Sequence, residues 1–195
     1  FKVINDYVKS IREDRLDGYY GGVHPSERKE FSEHIALKKF PDPKTVVISM
    51  SQHLGAPANP IVQVGDTVKV GQLIGDTDAF VSAPIHSSVS GTVVGIETQR
   101  SAVSGDDTLV VIETDKKQEM WEGIKAPEVN DLAGFVKAVR DSGLVGLGGA
   151  SFPTHIKYNP KNIDEVHTLI VNGAECEPFI TSDHRTMLED TQDII

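Results

Sequence analysis

Between Pro41 and about Thr114 the sequence is cut into short β-rich runs by glycines and other turn formers, and this rhythm limits the fold more than anything else in the 195 residues. The runs are Thr45 to Ser49, Ile61 to Val64, Thr67 to Val70, Gln72 to Ile74, Thr92 to Ile96 and Leu109 to Glu113. Short strands at regular spacing predict a small sandwich or barrel. Gly65-Asp66 and Gly91 fall where tight turns are expected.

After a linker containing Trp121 and Pro127 the period becomes helical. Leu132, Phe135, Val136 and Val139 recur at i, i+3, i+4 and i+7, with Asn130 or Asp131 to open a helix and Gly143 just past its end. His167 to Val171 reads as a buried strand that delivers Asn172. A last helix is expected from about Ser182 or Asp183, opened by a polar cap. This helix-loop-strand-loop-helix unit is too short to complete a sheet. The expected organisation is a lead-in helix and Gly-Gly-Val-His-Pro turn in residues 1–40, a β domain in 41–118 and an incomplete second domain in 119–195. The fold class is α+β or α/β: a β barrel-sandwich followed by the start of an α/β fold.

Charge narrows the partners. A formal net charge of −10 argues against a general nucleic-acid binder, which needs a basic surface. The one cysteine, Cys176, excludes an internal disulfide and cannot by itself hold a metal cluster. No run of eighteen apolar residues offers a membrane span.

Val64 to Ile74, Val81 to Ile85 and Val89 to Val93 together resemble the biotinyl/lipoyl-type barrel sandwich. Carriers of that type bear their prosthetic group on a lysine at a hairpin tip. No lysine lies between Lys69 and Lys116, so a swinging arm has no attachment point here. His24, His53 and His86 belong to the same half of the chain, and structural roles outweigh metal ligation because nothing in their spacing makes them converge.

Four glycines within seven residues, Gly143, Gly146, Gly148 and Gly149, let a backbone approach an anionic ligand without a Cβ in the way. Lys157 follows and could supply a charge. The bare pattern is weak, because neither a dinucleotide fingerprint nor a phosphate-binding Gly-Lys-Ser/Thr loop is present. The alternative is a loop that only punctuates a helix. More specific is the whole sequence Gly-x-Gly-Gly-Ala-x-Phe-Pro-Thr-x-x-Lys, then a strand, then Asn172-Gly173-Ala174-Glu175-Cys176-Glu177-Pro178.

That combination resembles the flavin and NADH site of the 51-kDa-type subunit of respiratory complex I. The chain from residue 21 onward is more similar still to the C subunit of the Rnf electron transport complex. Gly21-Gly22-Val23-His24-Pro25, Ser51-Gln52-His53-Leu54-Gly55-Ala56-Pro57, the barrel, the glycine loop and the segment from Asn172 to Met187 occur in that family's order. The resemblance implies a peripheral subunit on the cytoplasmic face of the membrane. Its partners are the other Rnf subunits, NADH and, through the complex, ferredoxin. Its cofactor is FMN, with 4Fe-4S clusters on a later cysteine-rich part, and the activity is that of an NADH-dependent oxidoreductase in an ion translocase. This segment alone is expected to be inactive.

Carried over by position, Gly146, Gly148 and Gly149 line the flavin phosphate and ring with Lys157 nearby. Asn172 and Glu175 contact the flavin, and Phe152 and Glu177 sit beside the nicotinamide nucleotide. Hydride transfer needs no general base, so the two glutamates are expected to accept hydrogen bonds rather than shuttle protons; the alternative is that they cap the following helix. Leu147 and Ala174 depart from the complex I pattern, which has an arginine and an aspartate there. A soluble cobalamin- or proline-reductase-associated relative and a non-catalytic docking module are the competing functional readings.

Overall fold

The computed structural model describes residues 26–101, 105–147 and 149–194. The expected lead-in helix, the turn from Gly21 to Pro25 with His24, and Gly148 lie outside the described residues. By contacts the chain divides into two units, residues 38–172 and residues 1–37 together with 173–195. The expected division at 40/41 and 118/119 therefore differs from the contact division.

The described residues of the larger unit form seven strands: β1 (Thr45–Ser49), β2 (Asn59–Pro60), β3 (Thr67–Val68), β4 (Leu73–Asp76), β5 (Ile85–His86), β6 (Gly91–Ser101) and β7 (Gly105–Thr114). They form a four-stranded sheet ordered β1-β7-β6-β3 and a three-stranded sheet ordered β2-β4-β5, with every pair antiparallel. Alternation along the strands turns Ile48, Val93, Val110 and Ile112 inward, where they meet Met50, Val68 and Ile74 from the other strands and turns. All seven are at most 6% exposed, so one apolar core holds both sheets.

The strand runs are legible in outline, and β1 has the expected bounds. Ile61 to Val64 is not a strand: Ile61 N–H donates to Ile74 O at 2.9 Å, and the chain then enters the turn at Gly65. Gly91 opens β6 rather than turning the chain. A Cβ there would stand 2.2 Å from the Glu113 carbonyl oxygen, so glycine permits the close approach of β7. Val70 and Trp121 exchange backbone hydrogen bonds with their neighbours (Val70 N–H to Glu119 O and Trp121 N–H to Val70 O, both 2.9 Å), which straps the expected linker onto the barrel.

Helix α1 (Leu132–Asp141) begins where the sequence predicts, because Asp131 Oδ1 accepts the Gly134 N–H at 2.6 Å and satisfies a donor that the first turn leaves unpaired. It ends at Gly143, whose φ of +71° a side chain would disfavour. Arg140 fastens α1 to the barrel, its Nη2 donating to Asp76 Oδ1 at 2.8 Å and to Thr77 O at 3.0 Å.

The expected buried strand from His167 to Val171 does not form. Leu169, Ile170 and Val171 are 76%, 77% and 78% exposed. A buried strand needs neighbours for its backbone groups and cover for its faces, and among the described residues no strand pairs with this one.

Candidate functional site

The glycine-rich segment is a narrow loop with paired feet. Leu144 O accepts from Thr154 N–H and Gly146 N–H donates to Phe152 O, both at 3.0 Å, and Val145 forms a bridge with the buried Pro153. The short helix α2 (Thr154–Lys157) then leads back toward the loop. Its last residue places Lys157 Nζ 3.3 Å from where a Cβ on Gly146 would stand. Gly146 therefore offers a side-chain-free edge packed close against a cation, where a Cβ would also meet Phe152 N at 3.6 Å and Phe152 O at 3.8 Å, rather than a free N–H, since its N–H is already spent on Phe152. Among the described residues no carboxylate pairs with the Lys157 amine.

Gly149 has φ +76°, and among the described residues nothing would stand within 4 Å of a Cβ there, so the backbone at Gly149 is open to an approaching group. Leu147, where the complex I pattern carries an arginine, is 97% exposed and supplies no polar contact. The loop is also pinned to the barrel: Leu54 N–H donates to Ser151 O at 3.3 Å, and a Cβ on Gly143 would meet Pro84 O at 2.4 Å.

Two histidines support this arrangement. The Ala83 N–H donates to His53 Nε2 at 3.1 Å, and His53 Nδ1 lies 3.2 Å from Leu54 O. His53 thus ties residues 53–54 to 83. His86 lies with His53 and Gly143 on a cavity of about 220 Å³, and burial lowers its pKa against the raising influence of Asp76 and Asp141. Among the described residues no group of three His, Cys, Asp or Glu side chains could hold a metal ion.

His155, on α2, carries no signal in its sequence position. It is 8% exposed, its Nδ1 has no hydrogen-bond partner among the described residues, and it borders a cavity of about 610 Å³ with Val136 and Arg140. Burial first, and the Arg140 charge second, lower its pKa and favour the neutral ring.

Asn172 ends the larger unit, and Glu175 and Glu177 belong to the smaller one. Within the smaller unit, Glu175 Oε1 accepts the His184 N–H at 3.0 Å, near the start of helix α3 (Ser182–Glu189). This is the capping role named as the alternative for these glutamates. Thr181, the residue before α3, makes no side-chain cap, so Glu175 performs that task from nine residues upstream. The Glu177 side chain is exposed, while its backbone carbonyl accepts from Lys29 Nζ at 3.1 Å. Nothing local in the sequence marks Lys29 for this contact.

Comparison with known proteins matches two family models to the chain. The RnfC barrel sandwich hybrid domain model matches residues 18–117, and the Nuo51 FMN-binding domain model matches residues 139–195. The chain is 43% identical over 186 residues to the C subunit of the proton-translocating ferredoxin:NAD(+) oxidoreductase complex of Clostridium ljungdahlii, covering 92% of this chain and 40% of that protein. It is 42% identical over 181 residues to the C subunit of the Na(+)-translocating ferredoxin:NAD(+) oxidoreductase complex of Acetobacterium woodii, covering 91% and 41%. The C subunit of the ion-translocating oxidoreductase complex of Pseudomonas aeruginosa is 36% identical over 178 residues, covering 89% and 23%. The chain thus spans about two fifths or less of the length of these relatives.

Proposed function

The chain belongs to the RnfC family, and from that premise we propose that it forms the flavin-side portion of a subunit that passes electrons between NADH and ferredoxin in an ion-translocating complex. The observation that carries this reading is the Lys157 amine beside the side-chain-free edge of Gly146, at the foot of an open-tipped glycine loop. The donor set suits FMN: a lysine charge for a phosphate, a backbone without Cβ atoms for a flat ring, and an amide at Asn172 for polar ring atoms. Bound FMN would supply two-electron exchange with NADH and one-electron exchange with iron–sulfur clusters.

The chain's own residues bind and orient. Lys157 holds the phosphate, Gly146, Gly148 and Gly149 line the flavin phosphate and ring, and Asn172 and Glu175 meet the flavin. Phe152 and Glu177 bound the nicotinamide nucleotide. Because Glu175 already accepts the His184 N–H, its flavin contact is made by a carboxylate anchored to α3 rather than a freely rotating one. The 4Fe-4S clusters require cysteines other than Cys176 and lie outside these residues. No described helix is long and apolar enough to cross a membrane, and the proposed placement is peripheral, on the cytoplasmic face against other Rnf subunits.

FMN titration of the full-length apoprotein tests the assignment. Lys157→Met should weaken FMN binding by about tenfold, the scale of one charge-assisted contact. Unchanged affinity would reject the phosphate role of Lys157, and no flavin binding at all by the wild-type protein would favour a non-catalytic docking module.

A further inference from the structure

The carboxylate segment of the smaller unit is held by residues far upstream. Lys29 Nζ donates to Glu177 O at 3.1 Å and to Ile180 O at 2.8 Å, spending its charge on two carbonyls of one turn. Ser32 Oγ donates to Phe179 O at 3.0 Å and Phe179 N–H donates to Glu27 O at 2.7 Å. The Phe31 ring stacks on Phe179 with centroids 6.2 Å apart and planes 7° from parallel. At the centre of these contacts Phe179 has φ +70°. A bulky residue avoids the left-handed region, and such a conformation persists only where its surroundings over-determine it. Five contacts from residues 27–32 converge on three residues of the turn, two of them from the Lys29 amine.

We propose that Lys29 and Phe31 are positioning residues for the nicotinamide nucleotide. They fix the Glu177–Ile180 turn, and with it the direction in which the exposed Glu177 carboxylate projects, while touching neither cofactor nor nucleotide. Arg185 and Glu189 extend the same clasp along α3: Arg185 Nη1 donates to Glu33 O at 3.2 Å and Glu189 Oε1 accepts from Leu37 N–H at 3.0 Å. The carboxylate loop is thereby fixed from the upstream segment and from the helix that Glu175 caps. This inference rests on the assignment of Glu177 to the nucleotide made above.

The test is NADH oxidation with ferricyanide as acceptor by the FMN-loaded full-length protein, comparing Lys29→Met, Lys29→Arg, Phe31→Ala and Glu177→Gln. Lys29→Met should raise the KM for NADH by about tenfold with kcat changed less than about twofold and FMN content unchanged. Lys29→Arg, which keeps donors for both carbonyls, should recover most of that loss. Phe31→Ala should raise the KM by about threefold, the scale of one aromatic pair. An unchanged KM in Lys29→Met, alongside a raised KM in Glu177→Gln, overturns the positioning role and leaves the nucleotide assignment standing. An unchanged KM in Glu177→Gln rejects the nucleotide assignment, and the positioning role with it. Equal loss of kcat and FMN content in Lys29→Met and Lys29→Arg marks Lys29 as a general structural residue and also overturns the proposal.

Discussion

Gly143 and Gly149 both have positive φ, +71° and +76°, but very different surroundings. A Cβ on Gly143 would stand 2.4 Å from the Pro84 carbonyl oxygen and 3.1 Å from His86 Nδ1, whereas one on Gly149 would meet nothing within 4 Å. Replacement by alanine therefore separates the conformational cost of a left-handed residue from the steric cost of the contact. Gly149→Ala should lose only the former, about 1–2 kcal/mol. Gly143→Ala should lose that and a further 1–3 kcal/mol or so, because a backbone carbonyl cannot swing aside as a side-chain tip can. Urea unfolding of the full-length protein, followed by the fluorescence of Trp121, measures both losses. If the two variants lost the same stability, the close packing of the loop's start on Pro84 would not hold the loop in place, and the account of why Gly143 ends α1 would fail. FMN affinity adds a second readout: with the loop origin displaced, Gly143→Ala should also bind FMN more weakly than Gly149→Ala.

Three further outcomes follow from the same geometry. Asp131→Ala removes the bond to Gly134 N–H and should cost about 1 kcal/mol, seen as a lower thermal midpoint, while Asp131→Ser should retain most of it. Arg140 and Asp76 are each about 70% buried, so a double-mutant cycle of Arg140→Met and Asp76→Asn should give a coupling of about 1–2 kcal/mol that high salt only partly removes; coupling below a few tenths would mean that α1 is not fastened there. His155 has a folded pKa below its ordinary value, so on acidification the unfolded chain takes up that proton first. Its stabilisation is present above the ordinary histidine range and is lost as pH falls through that range toward the lower folded pKa. Wild type should lose more stability across this window than His155→Gln, and equal slopes in urea titrations at several pH values would contradict the buried neutral ring.

Much of the larger unit could be read from local pattern. The alternation in Thr45 to Ser49 gives β1 its bounds, and the spacing of Leu132, Phe135, Val136 and Val139 with Asp131 and Gly143 gives α1 its bounds and both ends. These signals are local because strand alternation and helix capping are satisfied by residues within a few positions. The candidate site was legible as a set of residue types: a glycine loop, a following lysine, and an Asn-Glu-Glu segment. Its working details were not. That Gly146 spends its N–H on Phe152, and that Glu175 caps α3, depends on how a loop closes on itself, which composition does not specify.

The sequence by itself determined a barrel-sandwich with no lysine between Lys69 and Lys116, joined to a flavin-type glycine loop, because periodicity, turn chemistry and the order of motifs are properties of the linear chain. Only the tertiary structure decided which groups hold the site. Lys29 reaches Glu177 across 148 positions and Ile180 across 151, and His155 becomes a buried neutral ring only once α1 and α2 lie together. The run from Leu169 to Val171 shows the same dependence from the other side. Its residues are strand formers, yet a strand exists only where a neighbouring backbone answers its hydrogen bonds, and among the described residues none does.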